Sequence, residues 1–139
     1  MSAGSVASLV PISEAELQTA IIDCAVALGW LVYHTHDSRH SPEGFPDLIL
    51  VREPRLIIAE LKGVDRRGRP GVVKVAQAEW LLRLDTIAGV VEHLVEQAGA
   101  ADALPGVAEA PILAVRLWRP VDWTSGQVER ELRARAEPA

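Results

Sequence analysis

The sequence predicts an α/β fold in which a mixed central sheet is flanked by helices. Short apolar runs at residues 48–51 and 56–59 are typical of buried strands. Amphipathic helical patterns precede and follow these runs, which is the pattern of a layered α/β domain. The chain has 139 residues, 49% of them hydrophobic and 24% charged, so we expect one globular domain over residues 13–135.

The first helix is expected to follow Ser13, which forms a capping box with Glu16. Gly29 is a suitable stop for this helix. Residues 1–12 show no clear period and are interpreted as a flexible arm. The inward stripe of the helix repeats at helical spacing and consists of Leu17, Ile21, Cys24 and Leu28.

Three strands are expected next. Residues 30–35 are rich in β-branched and aromatic side chains, and residues 36–45 have the composition of a turn. Residues 48–51 and 56–59 form a hairpin across the loop 52–55. Because both faces of these two runs are apolar, we expect them to be central strands that are covered on both sides.

The second half of the chain contains a loop at 63–71 and a helical pattern at 74–86, which 90–97 either continues or restarts. An extended connection over residues 86–111 leads to a strand at 112–118. Thr124 or Ser125 is then expected to cap a last helix that ends near Arg135.

Composition excludes several classes of protein. The formal charge of -5 is unfavourable for general binding of nucleic acid, so a polyanion would have to bind to a local basic patch. The single cysteine, Cys24, excludes an internal disulfide and a cysteine-cluster zinc site, and it suits a reducing compartment. The longest apolar stretch, residues 24–33, is too short to span a bilayer. We therefore expect a soluble, intracellular protein with no membrane partner.

Three charged residues stand at the ends of the two most apolar runs, which is costly unless they have partners. If the hairpin loop has an even number of residues, Asp47 lies directly across from Glu60, and Lys62 shares their face. Two carboxylates about 5 Å apart repel by roughly 4 kcal/mol at an effective dielectric near 20. Either a structural salt bridge with Lys62 or a divalent cation would relieve this repulsion.

Carboxylate oxygens are the ligands that Mg²⁺ and Mn²⁺ prefer. The backbone carbonyl of Leu61 is a further candidate ligand, and Glu14 is a possible outer ligand, directly or through water. Glu16 is the alternative to Glu14 as this ligand. If Glu14 does not bind the metal, it is a helix-start carboxylate favoured by the helix dipole. Such a site suits phosphodiester hydrolysis, in which Lys62 would orient or deprotonate water. Gln77 is either a buried amide or a side chain that reaches the lysine or a phosphate.

The motif Gly44-Phe45-Pro46-Asp47, followed by Glu60-Leu61-Lys62, resembles the signature of the PD-(D/E)XK nucleases. The surrounding pattern over residues 13–123 is similar to the VRR-NUC branch, which is related to Holliday-junction resolvases. That pattern comprises Ser13-Glu14, Leu17-Gln18, Gly29-Trp30, Tyr33-His34, Asp37-Ser38-Arg39, Gln77-x-x-Trp80 and Trp118-Arg119-Pro120-x-Asp122-Trp123. The connection 86–111 departs from the family, in which this turn is short.

This resemblance implies a restriction-endonuclease-like core and a magnesium-dependent endonuclease that selects branched DNA, such as Holliday junctions or flaps. It implies that Asp47 and Glu60 bind the metal, that Lys62 is the catalytic lysine, and that Glu14 and Gln77 match the family's helical acid and glutamine. Symmetric cutting of a four-way junction needs two sites, so a homodimer is expected for that substrate. The alternatives are a restriction or repair nuclease on the same fold and a non-catalytic DNA-binding subunit.

Basic residues concentrate between Lys62 and Lys74, against one acid, Asp65. Such a loop beside a metal site could hold DNA phosphates without reading bases; the alternative is a solvated turn. The candidate DNA contacts are Arg39, Arg66, Arg67, Arg69 and Lys74. His34 and His36 could in principle bind zinc, but the sequence offers no third ligand.

Overall fold

The computed structural model describes residues 11–35, 42–99 and 110–134, which form a four-stranded mixed sheet with flanking helices. The α/β class and the mixed sheet are therefore as predicted. Residues 1–10, most of the predicted arm, lie outside the described ranges. In chain order the elements are α1 (Glu14–Ala27), β1 (Leu31–His34), β2 (Leu48–Arg52), β3 (Arg55–Leu61), α2 (Val75–Ala98), β4 (Leu113–Trp118), α3 (Pro120–Thr124) and α4 (Gln127–Arg133).

The strands lie in the order β1-β2-β3-β4. Strand β2 pairs antiparallel with β1 on one side and with β3 on the other, and β4 pairs with β3 in parallel. The β2–β3 hairpin pairs Leu48 with Ala59 and closes at Arg52 and Arg55. The predicted hairpin is thus present, with two residues between the last paired positions.

The hydrophobic core lies between α1 and one face of the sheet. Leu17, Ile21 and Ala25 of α1 are fully buried there, four residues apart as one face of an α-helix requires. Six of the seven residues of β3 are buried, which places this strand at the centre of the domain as predicted. In β2, Val51 remains exposed, so this strand is less completely covered than its composition suggests. The remaining core residues are Trp30, Leu48, Leu50, Ile57, Ala59, Leu61, Ala114, Trp118, Val128 and Leu132.

The capping box predicted for α1 is present. The Ser13 hydroxyl accepts a hydrogen bond from the Glu16 N–H at 3.1 Å, and Glu16 Oε1 accepts one from the Ser13 N–H at 3.2 Å. The helix ends at Ala27, just before Gly29, whose φ of 88° is in the left-handed region. The start and the end of this helix are therefore both encoded locally.

Helix α2 is one continuous helix of 24 residues that packs against β4. The first part of the predicted connection, residues 86–98, is therefore helical, while 100–109 lie outside the described ranges. Gly99 ends the helix with a φ of 65°. In the part of the chain that the structure describes, this helix and the others are too short or too polar to cross a membrane.

The C-terminal region differs from the prediction. The expected helix start at Thr124 or Ser125 is wrong, because a short helix, α3, already occupies Pro120–Thr124. Helix α4 begins only at Gln127, after Gly126 with a φ of 83°. The left-handed glycine separates the two helices, and the capping residues in the sequence gave no sign of this break.

A buried arginine, Arg55, connects α4 to the sheet. The residue is only 3% exposed. The guanidinium donates to the carbonyls of Glu131 at 2.6 Å and Pro111 at 3.4 Å, and also to that of Ala134. Burial, and then the nearby charge of Arg52, lower the pKa of Arg55. In the sequence, Arg55 belongs to the predicted hairpin loop 52–55, and no local pattern indicates its burial.

Candidate active site

The hairpin brings the two predicted carboxylates together. Because Leu48 pairs with Ala59, the next position outward sets Asp47 opposite Glu60. Asp47 Oδ2 accepts a hydrogen bond of 2.8 Å from the N–H of Leu61, which fixes the carboxylate at this end of the hairpin. The same segment of β3 therefore carries Glu60 and orients Asp47.

Glu60 is the most buried acid of the site, with 1% of its side chain exposed. Lys62 Nζ lies 3.4 Å from Glu60 Oε2, and both oxygens of Glu60 are buried without a hydrogen-bond partner. Burial, followed by the close approach of the Asp47 carboxylate, raises the pKa of Glu60 to about 8, while Lys62 opposes this shift. The carboxylate thus occupies a place where a positive charge would stabilise its ionised form.

Glu14 reaches the same end of the sheet because Gly63 packs closely against the start of α1. A β-carbon at position 63 would lie 2.1 Å from the Glu14 nitrogen and 2.4 Å from the Ser13 carbonyl carbon. Partial burial raises the pKa of Glu14, the Asp47 charge raises it further, and Lys62 lowers it. The alternative acid, Glu16, is engaged in the helix cap.

Glu14 and Lys62 share an open cavity of about 340 Å³ with the following loop. The loop contributes Gly63, Val64, Asp65, Arg69, Pro70 and Gly71 to the lining. A cavity of this kind gives solvent and an extended ligand access to the lysine side of the site.

The basic loop is folded around Asp65. Its carboxylate accepts hydrogen bonds from the backbone N–H groups of Arg67 and Arg69 and forms an ion pair with Arg69 Nε at 2.7 Å. The hydrogen bond from the backbone N–H of Arg69 makes the largest contribution to lowering the pKa of Asp65. The predicted DNA contacts Arg66, Arg67, Arg69 and Lys74 are all exposed, and Arg69 is in addition paired with Asp65. Arg39 lies outside the described residues.

Gln77 caps the start of α2. Its Oε1 accepts a hydrogen bond of 2.9 Å from the backbone N–H of Lys74. Within the described ranges, no hydrogen bond joins Gln77 to Lys62. The side chain is thus used for a helix cap that the sequence pattern did not indicate.

The segment that leads into Asp47 is held against α2. Trp80 Nε1 donates to the Glu43 carbonyl at 3.2 Å, and the Trp80 ring meets Phe45 edge-on at 5.1 Å. Gly44, with a φ of 87°, lies so close to Ala76 that a β-carbon would come within 2.5 Å of its backbone. These contacts fix the Gly-Phe-Pro-Asp turn and, with it, the position of Asp47.

No family model, curated protein or solved structure matches this chain. The resemblance to VRR-NUC nucleases therefore remains a hypothesis based on short motifs.

A hard divalent cation fits the donors of this site. The buried oxygens of Glu60 have no hydrogen-bond partner, and Asp47 lies at the adjacent strand position. Across the described ranges, no three Asp, Glu, His or Cys side chains are grouped so that they could hold a metal by themselves. Mg²⁺ usually binds one or two carboxylates and keeps several waters, so Asp47 and Glu60 are sufficient protein carboxylates for it. Direct ligation by Glu14 is thus less favoured than contact through water, and His36 of the zinc alternative lies outside the described residues.

Sequence reasoning missed two residues next to the lysine. Arg119 Nη1 donates a hydrogen bond of 2.8 Å to the Gly71 carbonyl, and Gly71 lies against the side chain of Lys62. Neither residue adjoins Lys62 in sequence, and neither carries a local pattern that indicates this contact.

Proposed function

We propose that this protein is a divalent-metal-dependent nuclease that hydrolyses phosphodiester bonds in DNA. The observation that carries the proposal is the position of Asp47, one residue beyond the last β2–β3 pair and hydrogen-bonded to the Leu61 N–H, beside the buried Glu60, whose carboxylate lies 3.4 Å from the Lys62 ammonium. Two acids and a lysine at one end of a hairpin are costly to a fold that has no use for them.

Asp47 and Glu60 would hold Mg²⁺ or Mn²⁺, with the carbonyl of Leu61 as a further ligand and Glu14 in contact through water. When bound, such an ion polarises a phosphoryl oxygen and lowers the pKa of coordinated water. The buried oxygens of Glu60, which have no hydrogen-bond partner besides the ion pair with Lys62, support this assignment.

Lys62 is the group that acts on substrate in this proposal. The residue is 7% exposed and lines the open cavity, so its ammonium can donate a hydrogen bond to a phosphate or orient the attacking water. The negative charge that develops on the phosphate is stabilised by this ammonium more strongly than in water, because the lysine is largely buried.

The exposed guanidinium groups of Arg66 and Arg67 lie on the loop that forms one wall of this cavity. Guanidinium groups bind phosphates in a bidentate manner and carry no sequence information when they do so. We propose that they hold the DNA backbone, which favours recognition of DNA shape over base sequence.

The substrate and the assembly follow from the resemblance to VRR-NUC nucleases. We propose branched DNA, such as Holliday junctions or flaps, and a homodimer for symmetric cutting of a junction. Large apolar patches are uncommon on monomer surfaces, and the exposed apolar side chains that recur along α2 support a partner subunit. They are Leu82, Ile87, Val90 and Leu94. An intracellular location follows from a DNA substrate and fits the free Cys24.

The test is a panel of four-way junction, flap, nicked and linear DNAs incubated with Mg²⁺ or Mn²⁺. Wild-type protein is expected to cut at least one branched substrate, and Glu60→Gln and Lys62→Met are expected to cut none. Glu79→Gln is a matched control, because Glu79 is an exposed glutamate on α2. If the wild type binds DNA without cutting it in either metal, the protein is a DNA-binding subunit. Cutting of linear and branched duplexes at equal rates would favour the restriction or repair nuclease.

A further inference from the structure

The loop that follows Lys62 returns to the lysine side chain at Gly71. The Gly71 N–H donates to the carbonyl of Gly63 at 2.9 Å, which closes the loop. A β-carbon at position 71 would lie 3.2 Å from Lys62 Cδ and 3.6 Å from its Cβ. The backbone of Gly71 therefore forms one side of the channel that holds the lysine stem.

Arg119 also holds Gly71 in place, through the Gly71 carbonyl. Its guanidinium donates to the Gly71 carbonyl at 2.8 Å, while its own N–H is held by Asp122 Oδ2 at 2.7 Å. The carbonyl of the preceding residue, Trp118, accepts a hydrogen bond of 3.0 Å from the Lys62 N–H. The last residue of β4 thus holds the backbone of Lys62, and the residue that follows holds the loop against which the lysine side chain lies.

We infer that Arg119 is a positioning residue which, acting through Gly71, holds the Lys62 ammonium against Glu60. A lysine stem has four rotatable bonds, and its ammonium stays near Glu60 only if other orientations are blocked. Loss of the charged donor at Arg119 releases the Gly71 carbonyl and opens the channel, so the ammonium turns toward solvent. The consequence for catalysis rests on the proposed function, whereas the consequence for the lysine does not.

The chain contains only two lysines, Lys62 and Lys74, which allows a direct test. Amine-reactive labelling followed by mass spectrometry compares the buried Lys62 with the exposed Lys74 in the same molecule. In the wild type, Lys62 is expected to label much more slowly. Arg119→Ala is expected to raise the Lys62-to-Lys74 ratio several-fold, and Arg119→Lys is expected to restore part of the protection.

Gly71→Ala provides a second variant, because its added methyl group displaces the lysine stem without removing a charge. Arg83→Ala and Gly89→Ala are the matched controls: Arg83 is an exposed helical arginine, and a β-carbon at position 89 meets no atom within 4 Å. Both controls should leave the labelling ratio unchanged. An unchanged ratio in a folded Arg119→Ala protein, checked by circular dichroism, would overturn the inference.

DNA cleavage separates this inference from the proposed function. Arg119→Ala should lower kcat about ten- to hundredfold with little change in KM, because substrate binding is kept while the lysine is displaced. An Arg119→Ala protein with a raised labelling ratio but wild-type kcat would contradict the catalytic part. If the wild type cuts no DNA, the proposed function fails, and the labelling ratio still decides whether Arg119 positions Lys62.

Discussion

Asp47 Oδ2 accepts a hydrogen bond of 2.8 Å from the backbone N–H of Leu61, the residue between Glu60 and Lys62. This hydrogen bond gives Asp47 a structural role in addition to its charge. The two roles are separable by substitution, since an amide oxygen can accept the same hydrogen bond while a methyl group cannot.

We predict that Asp47→Asn and Asp47→Ala both abolish metal-dependent cleavage but differ in stability. The alanine leaves the Leu61 N–H without its partner, which costs about 1–3 kcal/mol, whereas the asparagine keeps the hydrogen bond. Urea denaturation without divalent metal measures this difference. Equal stabilities of the two variants would show that the hydrogen bond contributes little.

The pKa of Glu60 predicts how stability depends on pH in the absence of metal. Folding raises this pKa from the ordinary value of 4.5 to about 8, so between these values the folded protein holds a proton that the unfolded chain has lost. The contribution of Glu60 to the free energy of unfolding is therefore fully present below pH 4.5. It is lost as the pH rises from 4.5 through 8, by at most about 1.4 kcal/mol per pH unit.

Urea denaturation of the wild type at about pH 6 and pH 8, with a chelator present, is expected to show this loss. Glu60→Gln should be less sensitive to pH in this window because it has no proton to lose, and Glu79→Gln should behave like the wild type. A Glu60→Gln protein with the full pH dependence would assign the effect to another group, and Glu14 is the first candidate, since its pKa is raised as well.

A divalent cation is predicted to raise the melting temperature of the wild-type protein. An ion that binds only the folded state at a hundred times its Kd stabilises by about 2.7 kcal/mol. Because the ion and the proton compete for Glu60, the increase should be larger at about pH 8 than at pH 6. Differential scanning fluorimetry with Mn²⁺ measures it, and the same increase in Glu60→Gln would mean that the ion binds elsewhere.

The basic loop is predicted to set the salt dependence of DNA binding. Replacement of Arg66 and Arg67 together by alanine should weaken binding and reduce the slope of log K against log salt by about 0.9 for each phosphate that is no longer neutralised. Fluorescence anisotropy at several salt concentrations measures this slope. The control is the double variant Arg83→Ala, Arg133→Ala, which removes two charges from helical arginines paired with glutamates. Equal effects of the two double variants would indicate a general charge effect and remove the loop from the interface.

Local signals in the sequence were enough to predict the features that depend on neighbouring residues. The Ser13–Glu16 capping box acts within one helical turn. The length of the β2–β3 turn fixes the register, which in turn sets Asp47 opposite Glu60. For this reason, the central part of the candidate site could be predicted before the fold was known.

The features that could not be predicted depend on contacts between distant residues. Arg119 meets Gly71 only because β4 adds to β3 in parallel, and Arg55 is buried where its guanidinium bonds to the Glu131 carbonyl of α4. The sequence places Gln77 on the apolar stripe of its helix, but the stripe does not indicate how far the side chain lies from Lys62. In the structure the side chain caps the helix. Contacts between distant residues produce no periodic pattern in the sequence.

The close approach of Gly63 to the backbone of Ser13 and Glu14 makes this position intolerant of any other amino acid. In a saturation-mutagenesis library selected for folding alone, without regard to DNA, glycine should be the sole survivor at residue 63. A screen for solubility and a screen for cleavage would then agree at this position, whereas at Glu60 they should diverge.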